Sequence, residues 1–263
     1  SNLLETNLLA TKMAASTSTY GATEPSKAAP APKAALESLS PHLAEFLGTF
    51  VLVFTVGCCT LSPGGPVWSA TAIASVLMVM VYATGPVSGG HLNPAVSLTL
   101  GLTGNTAWRT VVKYWVVQLT AGLTAGVCLC SLFSPRSAVV GPVAPFPWGM
   151  AALAEVLYTF MLCFVVSSCA ASKRNNPKDD GNQFYALAIG FVVVAGGYAV
   201  GGVSGASFNP ALSLGLSATG SGFKWGLAWV AAEFAGAALA ALAFRLLRSE
   251  EYILPAAGLP SFK

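Results

Sequence analysis

One short stretch occurs twice in this chain and constrains everything around it. Ser88-Gly89-Gly90-His91-Leu92-Asn93-Pro94-Ala95-Val96-Ser97-Leu98 returns 116 residues later as Ser204-Gly205-Ala206-Ser207-Phe208-Asn209-Pro210-Ala211-Leu212-Ser213-Leu214. Each copy reads as a loop that breaks into a helix: Asn is a favoured N-cap, Pro is tolerated at the first helical position, and an apolar run follows. A single Asn-Pro-Ala would mark no more than a capped helix start. Two copies with matching flanks call for two equivalent elements.

The solvent around those elements follows from composition. Hydrophobic residues make up 54% of the chain and charged residues 9%, against about 25% charged in an ordinary soluble domain. Mean hydropathy is +0.67. This balance describes a polytopic membrane protein. The net charge of +3, without a basic patch interleaved with aromatics, gives no footprint for nucleic acid. All six cysteines fall in apolar segments without zinc-ligand spacing, so they read as small buried apolar residues, and neither metal nor cofactor is expected.

Six apolar segments are long enough to cross a hydrocarbon core of about 30 Å: 42–62, 67–85, 107–133, 149–171, 184–202 and 223–247. The helices that start at Pro94 and Pro210 are shorter and reach only about halfway across, so they must re-enter. Irregular backbone before each is tolerable only where it is buried in protein or lines a wet cavity. The chain is also internally duplicated. Residues 43–54 align without gaps to 153–164 with eight of twelve positions identical, including Glu45 with Glu155. Gln118-Leu119-Thr120-Ala121-Gly122 corresponds to Glu233-Phe234-Ala235-Gly236. Each half holds three crossings and one half-helix, and because three is odd the second half enters the membrane inverted. With the N-terminus cytoplasmic, eleven Lys and Arg residues lie on that side, and only Arg136 and Lys224 on the other. That split predicts cytoplasmic termini.

Paired Asn-Pro-Ala loops on an inverted repeat are the signature that this chain shares with the aquaporin, or major intrinsic protein, family, which it strongly resembles over residues 42–247. The flanks Ser88-Gly89-Gly90-His91 and Gly205-Ala206-Ser207, and the run Ala188-Ile189-Gly190-Phe191, are similar to plant tonoplast intrinsic proteins. The resemblance implies an all-α fold of six transmembrane helices and two re-entrant half-helices, a homotetramer with one pore per protomer, and no enzyme activity. The pore motifs are then Asn93, Pro94, Ala95 and Asn209, Pro210, Ala211. Half-helix dipoles and the two Asn amides meet near the midplane, where they reorient a water file and repel cations; both Asn residues also serve as helix caps.

Glu45 and Glu155 are carboxylates inside apolar helices, and each is expected to hold a re-entrant loop by accepting its N–H groups, with a proton relay as the rival role. His91 is grouped with them as loop support, with a gate or pH sensor as the alternative. Glu233 stands where relatives usually have Pro and could face the lumen, a subunit contact or a loop. The filter that the resemblance implies consists of Ile73, Gly197, Ala206 and Leu212. Leu212 occupies the place of the usual Arg, so the ring is expected to be wide and weakly polar. Gly197, Gly201 and Gly205 also form a small-residue series suited to close helix packing.

The expected organisation is a flexible extension over 1–40, a channel domain over 41–248 with repeats at about 41–133 and 149–248, and a tail over 249–263. The extension lacks the apolar core of a signal peptide, and its ordering would need a neighbouring subunit or a protein partner. The expected function is passive passage of water and small neutral solutes such as urea, ammonia and hydrogen peroxide. The rivals are a glycerol-facilitator-like channel and a non-conducting structural subunit. The membrane, vacuolar or other organellar or plasma, is left open.

Overall fold

The computed structural model describes residues 31–62, 68–134, 136, 138, 140–177, 180–218 and 222–252, with side chains from Leu36 onward. Residues 1–30, most of the expected extension, and 253–263, most of the expected tail, lie outside the described residues.

Among the described residues eight α-helices follow one another: α1 Ala31–Leu61, α2 Ser69–Ser88, α3 Pro94–Leu102, α4 Trp108–Phe133, α5 Trp148–Val165, α6 Tyr185–Ser204, α7 Pro210–Ala218 and α8 Phe223–Leu247. Six of the helical segments are long and apolar enough to cross a membrane, and α3 and α7, at nine residues each, are not. The architecture is all-α, six spanning helices and two half-helices, as the duplicated sequence requires. The first helix starts ten residues before the expected domain boundary. Lys33-Ala34-Ala35-Leu36-Glu37 is a run of strong helix formers, and Pro32 falls in the first turn, where proline is tolerated. An Ala- and Pro-rich composition had pointed instead to an extension.

The ends of the elements are fixed by single residues. α2 stops at Gly89, with φ of 91°, and α6 stops at Gly205, with φ of 86°. These left-handed caps return an N–H to Gly85 O and Gly201 O respectively. α5 loosens into a π-helical segment, Val166–Ala171. The carbonyls of Ser168 and Cys169 there are taken up by side-chain amides from the next loop, Asn175 on the first and Asn176 and Asn182 on the second.

Packing interleaves the halves. α3 of the first half lies against α8 of the second as well as against α4, and α7 of the second half lies against α4 of the first as well as against α8. α2 runs along α6, and α5 along α8. Large apolar side chains such as Leu123, Val127, Leu157, Phe191 and Leu246 point outward. In water that would be anomalous; in lipid it is the expected outer face.

Candidate functional site

The two re-entrant loops adopt the same unusual backbone. Gly89, Gly90 and Leu92 have φ of 91°, 60° and 51°; their repeat counterparts Gly205, Ala206 and Phe208 have 86°, 51° and 52°. Leu, Ala and Phe rarely enter this left-handed region. It is sustained here because both flanking side chains are anchored. Leu92, wholly buried, fills the space left by Gly48, where a Cβ would come within 2.4 Å of Leu92 Cδ2. Phe208 packs against Gly196 of α6 and stacks on Tyr158, the repeat counterpart of Gly48, with ring centroids 5.6 Å apart.

Carboxylates hold the amides that this backbone exposes. Glu45 Oε1 accepts from His91 N at 2.9 Å and Ser88 Oγ at 2.7 Å, and Oε2 accepts from Leu92 N and Gln118 Nε2, both at 2.8 Å. Glu155 accepts from Ser207 N at 3.1 Å and Phe208 N at 2.9 Å. Both glutamates are wholly buried. Glu233, also wholly buried, faces the second loop: its Oε1 accepts from Asn209 N at 3.0 Å and Ser213 Oγ at 2.7 Å. Of the three environments left open for Glu233 by its sequence position, the loop is the one occupied. His91 Nδ1 lies 2.9 Å from Ser97 Oγ, and its ring stands edge-on to Tyr114.

The Asn-Pro-Ala motifs interlock. Asn93 Oδ1 accepts from Ala95 N at 2.8 Å, and Asn209 Oδ1 accepts from Ala211 N at 3.0 Å, so each caps its own half-helix. The amide nitrogens cross over: Asn93 Nδ2 donates to Phe208 O at 2.8 Å, and Asn209 Nδ2 donates to Leu92 O at 3.0 Å. An amide nitrogen carries two hydrogens, so one on each Asn is left for the cavity that both residues line. Pro94, Ala95, Pro210 and Ala211 are buried in the first turns of α3 and α7.

That cavity has a volume of about 390 Å3 and extends to both sides of the Asn pair. Toward the termini it reaches Asn105, Thr106, Ala170, Ala171 and Tyr185; toward the opposite side it reaches Ile73, Val193, Ala206 and Leu212. One wall is aliphatic, including Val56, Leu77, Leu162 and Ile189, and the other is the polar backbone of the two loops with His91 and Ser207.

Three of the four expected filter residues, Ile73, Ala206 and Leu212, therefore meet at the lumen. Gly197 does not line it. A Cβ on Gly197 would come within 2.7 Å of Ala70 Cβ, so this glycine lets α6 approach α2, and Thr71 Oγ1 and Tyr198 Oη join the same two helices at 2.7 Å. Position 197 adds no room to the pore, because the room is taken by the neighbouring helix. Val193, one turn away, faces the lumen instead.

Several supporting residues were not singled out from sequence. Tyr114 Oη donates to Ser88 O at 2.8 Å and Trp229 Nε1 to Ser204 O at 3.0 Å, occupying the orphan carbonyls at the ends of α2 and α6. Trp115 Nε1 donates to Pro94 O. The signal available for Gln118 was its alignment with Glu233: a polar residue in an apolar helix, repeated in both halves.

Comparison with known proteins agrees with this geometry. The family model described as Major intrinsic protein matches residues 33–244. Aquaporin NIP1-4 of Oryza sativa subsp. japonica is 37% identical over 214 residues, which cover 78% of this chain and 76% of that protein. Probable aquaporin TIP2-2 of Arabidopsis thaliana is 35% identical over 224 residues, covering 79% and 86%. Relatives of both NIP and TIP type are thus similar to it, which is consistent with the tonoplast-like flanks. The structure of the aquaglyceroporin from Plasmodium falciparum superposes with a TM-score of 0.71 at 18% identity, over 81% of this chain and 98% of that one. Duplicated re-entrant loops, cross-donating asparagines and these similarities lead to one assignment: the chain belongs to the major intrinsic protein family, the aquaporin channels, and is an integral membrane protein.

Proposed function

We propose that this protein is a passive channel for water and small neutral solutes whose filter carries no arginine. The observation that carries the reading is Leu212, on the lumen with Ile73 and Ala206 at the level where the resemblance puts an Arg. Three aliphatic side chains supply neither a fixed positive charge nor hydrogen-bond donors there. Cation exclusion then falls to the two half-helix N-termini and the Asn amides. Urea, ammonia and hydrogen peroxide are the expected solutes beside water. By resemblance the channel is a homotetramer with one lumen per protomer. Its termini are cytoplasmic, in keeping with the basic residues gathered on the terminus side. A truncation that lacks residues 1–30, within the extension expected over 1–40, should conduct as the full chain does.

One observation favours a second reading. Leu212 is only 4% exposed, and α2 and α6 close on each other at Ala70 and Gly197, so the lumen on this side could be shut by an aliphatic plug. Proteoliposome permeability to water, urea, ammonia, glycerol and hydrogen peroxide, measured side by side, separates the readings. A wide filter passes water, urea and ammonia. A plugged lumen passes none until Leu212→Ala opens it, and passage of glycerol in preference to water marks a glycerol-facilitator-like channel.

A further inference from the structure

Behind the two loops, the halves differ in one functional group. In the first half, Gln118 Nε2 donates to Glu45 Oε2 at 2.8 Å and to Ser97 Oγ at 3.1 Å, so a single carboxylate is surrounded by donors. In the second half, the place of Gln118 is taken by Glu233. Glu233 Oε1 reproduces part of the pattern through Ser213 Oγ and Asn209 N, but its Oε2 is buried with no donor. Glu155, which sits where Glu45 does in the other half, receives no amide from that position.

Two wholly buried carboxylates therefore stand behind one loop. They are linked through it: Glu155 accepts from Ser207 N, Ser207 Oγ lies 2.6 Å from Ser213 Oγ, and Ser213 Oγ donates to Glu233 Oε1. Among the described residues, neither has an ion-pair partner. α3 and α7, both packed on α8, carry no ionisable side chain, and α5 brings Glu155, Tyr158 and Cys163. α8 itself has Lys224 and Arg245 only near its ends. Like charges in a shared low-dielectric site do not both ionise, and an unpaired buried charge is among the most costly features a fold can carry.

We propose that Glu233 is a positioning residue that holds a proton on Oε2 and, as a neutral carboxylic acid, serves the second loop as the Gln118 amide serves the first. Oε1 stays an acceptor for Asn209 N and Ser213 Oγ, which seats the second Asn at the lumen. The proton on Oε2 removes the second charge from the site that holds the Glu155 carboxylate, as the neutral Gln118 amide leaves Glu45 the one carboxylate of its half. Each half then keeps one negative charge behind its loop. The inference stands whichever solutes pass, because its first readout is not flux.

Infrared spectra of the full chain in proteoliposomes test it. Wild type at neutral pH should show the C=O stretch of an un-ionised carboxylic acid, shifted in D2O and absent from Glu233→Gln. Glu233→Gln should assemble and conduct like wild type, whereas Glu233→Leu, which leaves Asn209 N and Ser213 Oγ without their acceptor, should lose both. On alkaline titration the band should disappear as flux falls, since a second charge is created behind the loop, while Glu233→Gln stays flat. A spectrum without the band, a band that survives in Glu233→Gln, a Glu233→Gln chain that does not assemble, or a Glu233→Leu chain indistinguishable from wild type would each overturn the proposal.

Discussion

Gly122 and Gly215 meet backbone to backbone: a Cβ on Gly215 would lie 2.4 Å from the Gly122 carbonyl oxygen, and one on Gly122 would lie 2.2 Å from the carbonyl oxygen of Ala211. This is where crossing helix α4 of the first half receives half-helix α7 of the second. The atoms in the way belong to main chain, so no rotamer change relieves the clash. Gly122→Ala and Gly215→Ala should each cost about 1–3 kcal/mol or more from overpacking. Size-exclusion profiles should show loss of the folded peak for both. Gly201→Ala, with nothing within 4 Å of the added carbon, should leave the profile unchanged.

The crossed asparagines make a paired prediction. Asn209→Asp keeps the acceptor for Ala211 N but turns the donor to Leu92 O into a second oxygen, and Asn93→Asp does the same to Phe208 O. Leaving such a carbonyl unsatisfied costs about 1–3 kcal/mol. Stopped-flow shrinkage should be slower in both variants, and ion-flux assays should detect a cation leak through the added negative charge. A response in only one of the two would contradict the symmetric lumen.

Glu45 and Glu155 should differ in severity. Glu45→Ala strips the acceptor from two backbone N–H groups, Ser88 Oγ and the Gln118 amide; Glu155→Ala strips it from two backbone N–H groups and the Ser204 hydroxyl, with no amide at the place of Gln118. At about 1–3 kcal/mol for each orphaned group, both should reduce thermal stability of the assembled protein, Glu45→Ala the more. Flux should fall in step with assembly. A Glu155→Ala protein that assembles fully but leaks protons would instead identify a relay.

At the filter, Leu212→Arg should lower urea flux relative to water, because it restores donors and a positive charge. Gly197→Ala should act by a different route. Its methyl group pushes on Ala70, so it parts α2 and α6 rather than narrowing the lumen. Paired urea and water permeabilities distinguish the two effects. A wild type that passes water but rejects both urea and ammonia would refute the wide filter.

The repeat is why so much was legible. Because Asn93 and Glu45 have counterparts in the same chain, internal alignment identified the loops and their glutamates, and the length of the apolar segments gave the number of crossings. The resemblance puts Gly197 in the filter, twelve residues before Asn209, whereas its backbone lies against Ala70. Distance from Asn209 fixes height in the membrane but not rotation about the helix axis, and where two helices cross through small residues the backbone takes the inward space. The glycine spacing at 197, 201 and 205 already suggested packing, and at 197 that suggestion is the one the structure follows. Tyr114 and Trp229 were illegible for another reason. Their partners are carbonyls at the ends of distant helices, and no pattern in the chain marks which carbonyls lack a donor.

The crossing of Asn93 and Asn209 also bears on how the chain is made. The Leu92 carbonyl finds its donor 117 residues further along, and α4 receives α7 only after most of the second half exists. In a nascent first half, Glu45 and Tyr114 can already hold the loop, but the Leu92 carbonyl still lacks its donor. That donor arrives with Asn209, and the place of α3 against α8 is filled only later still.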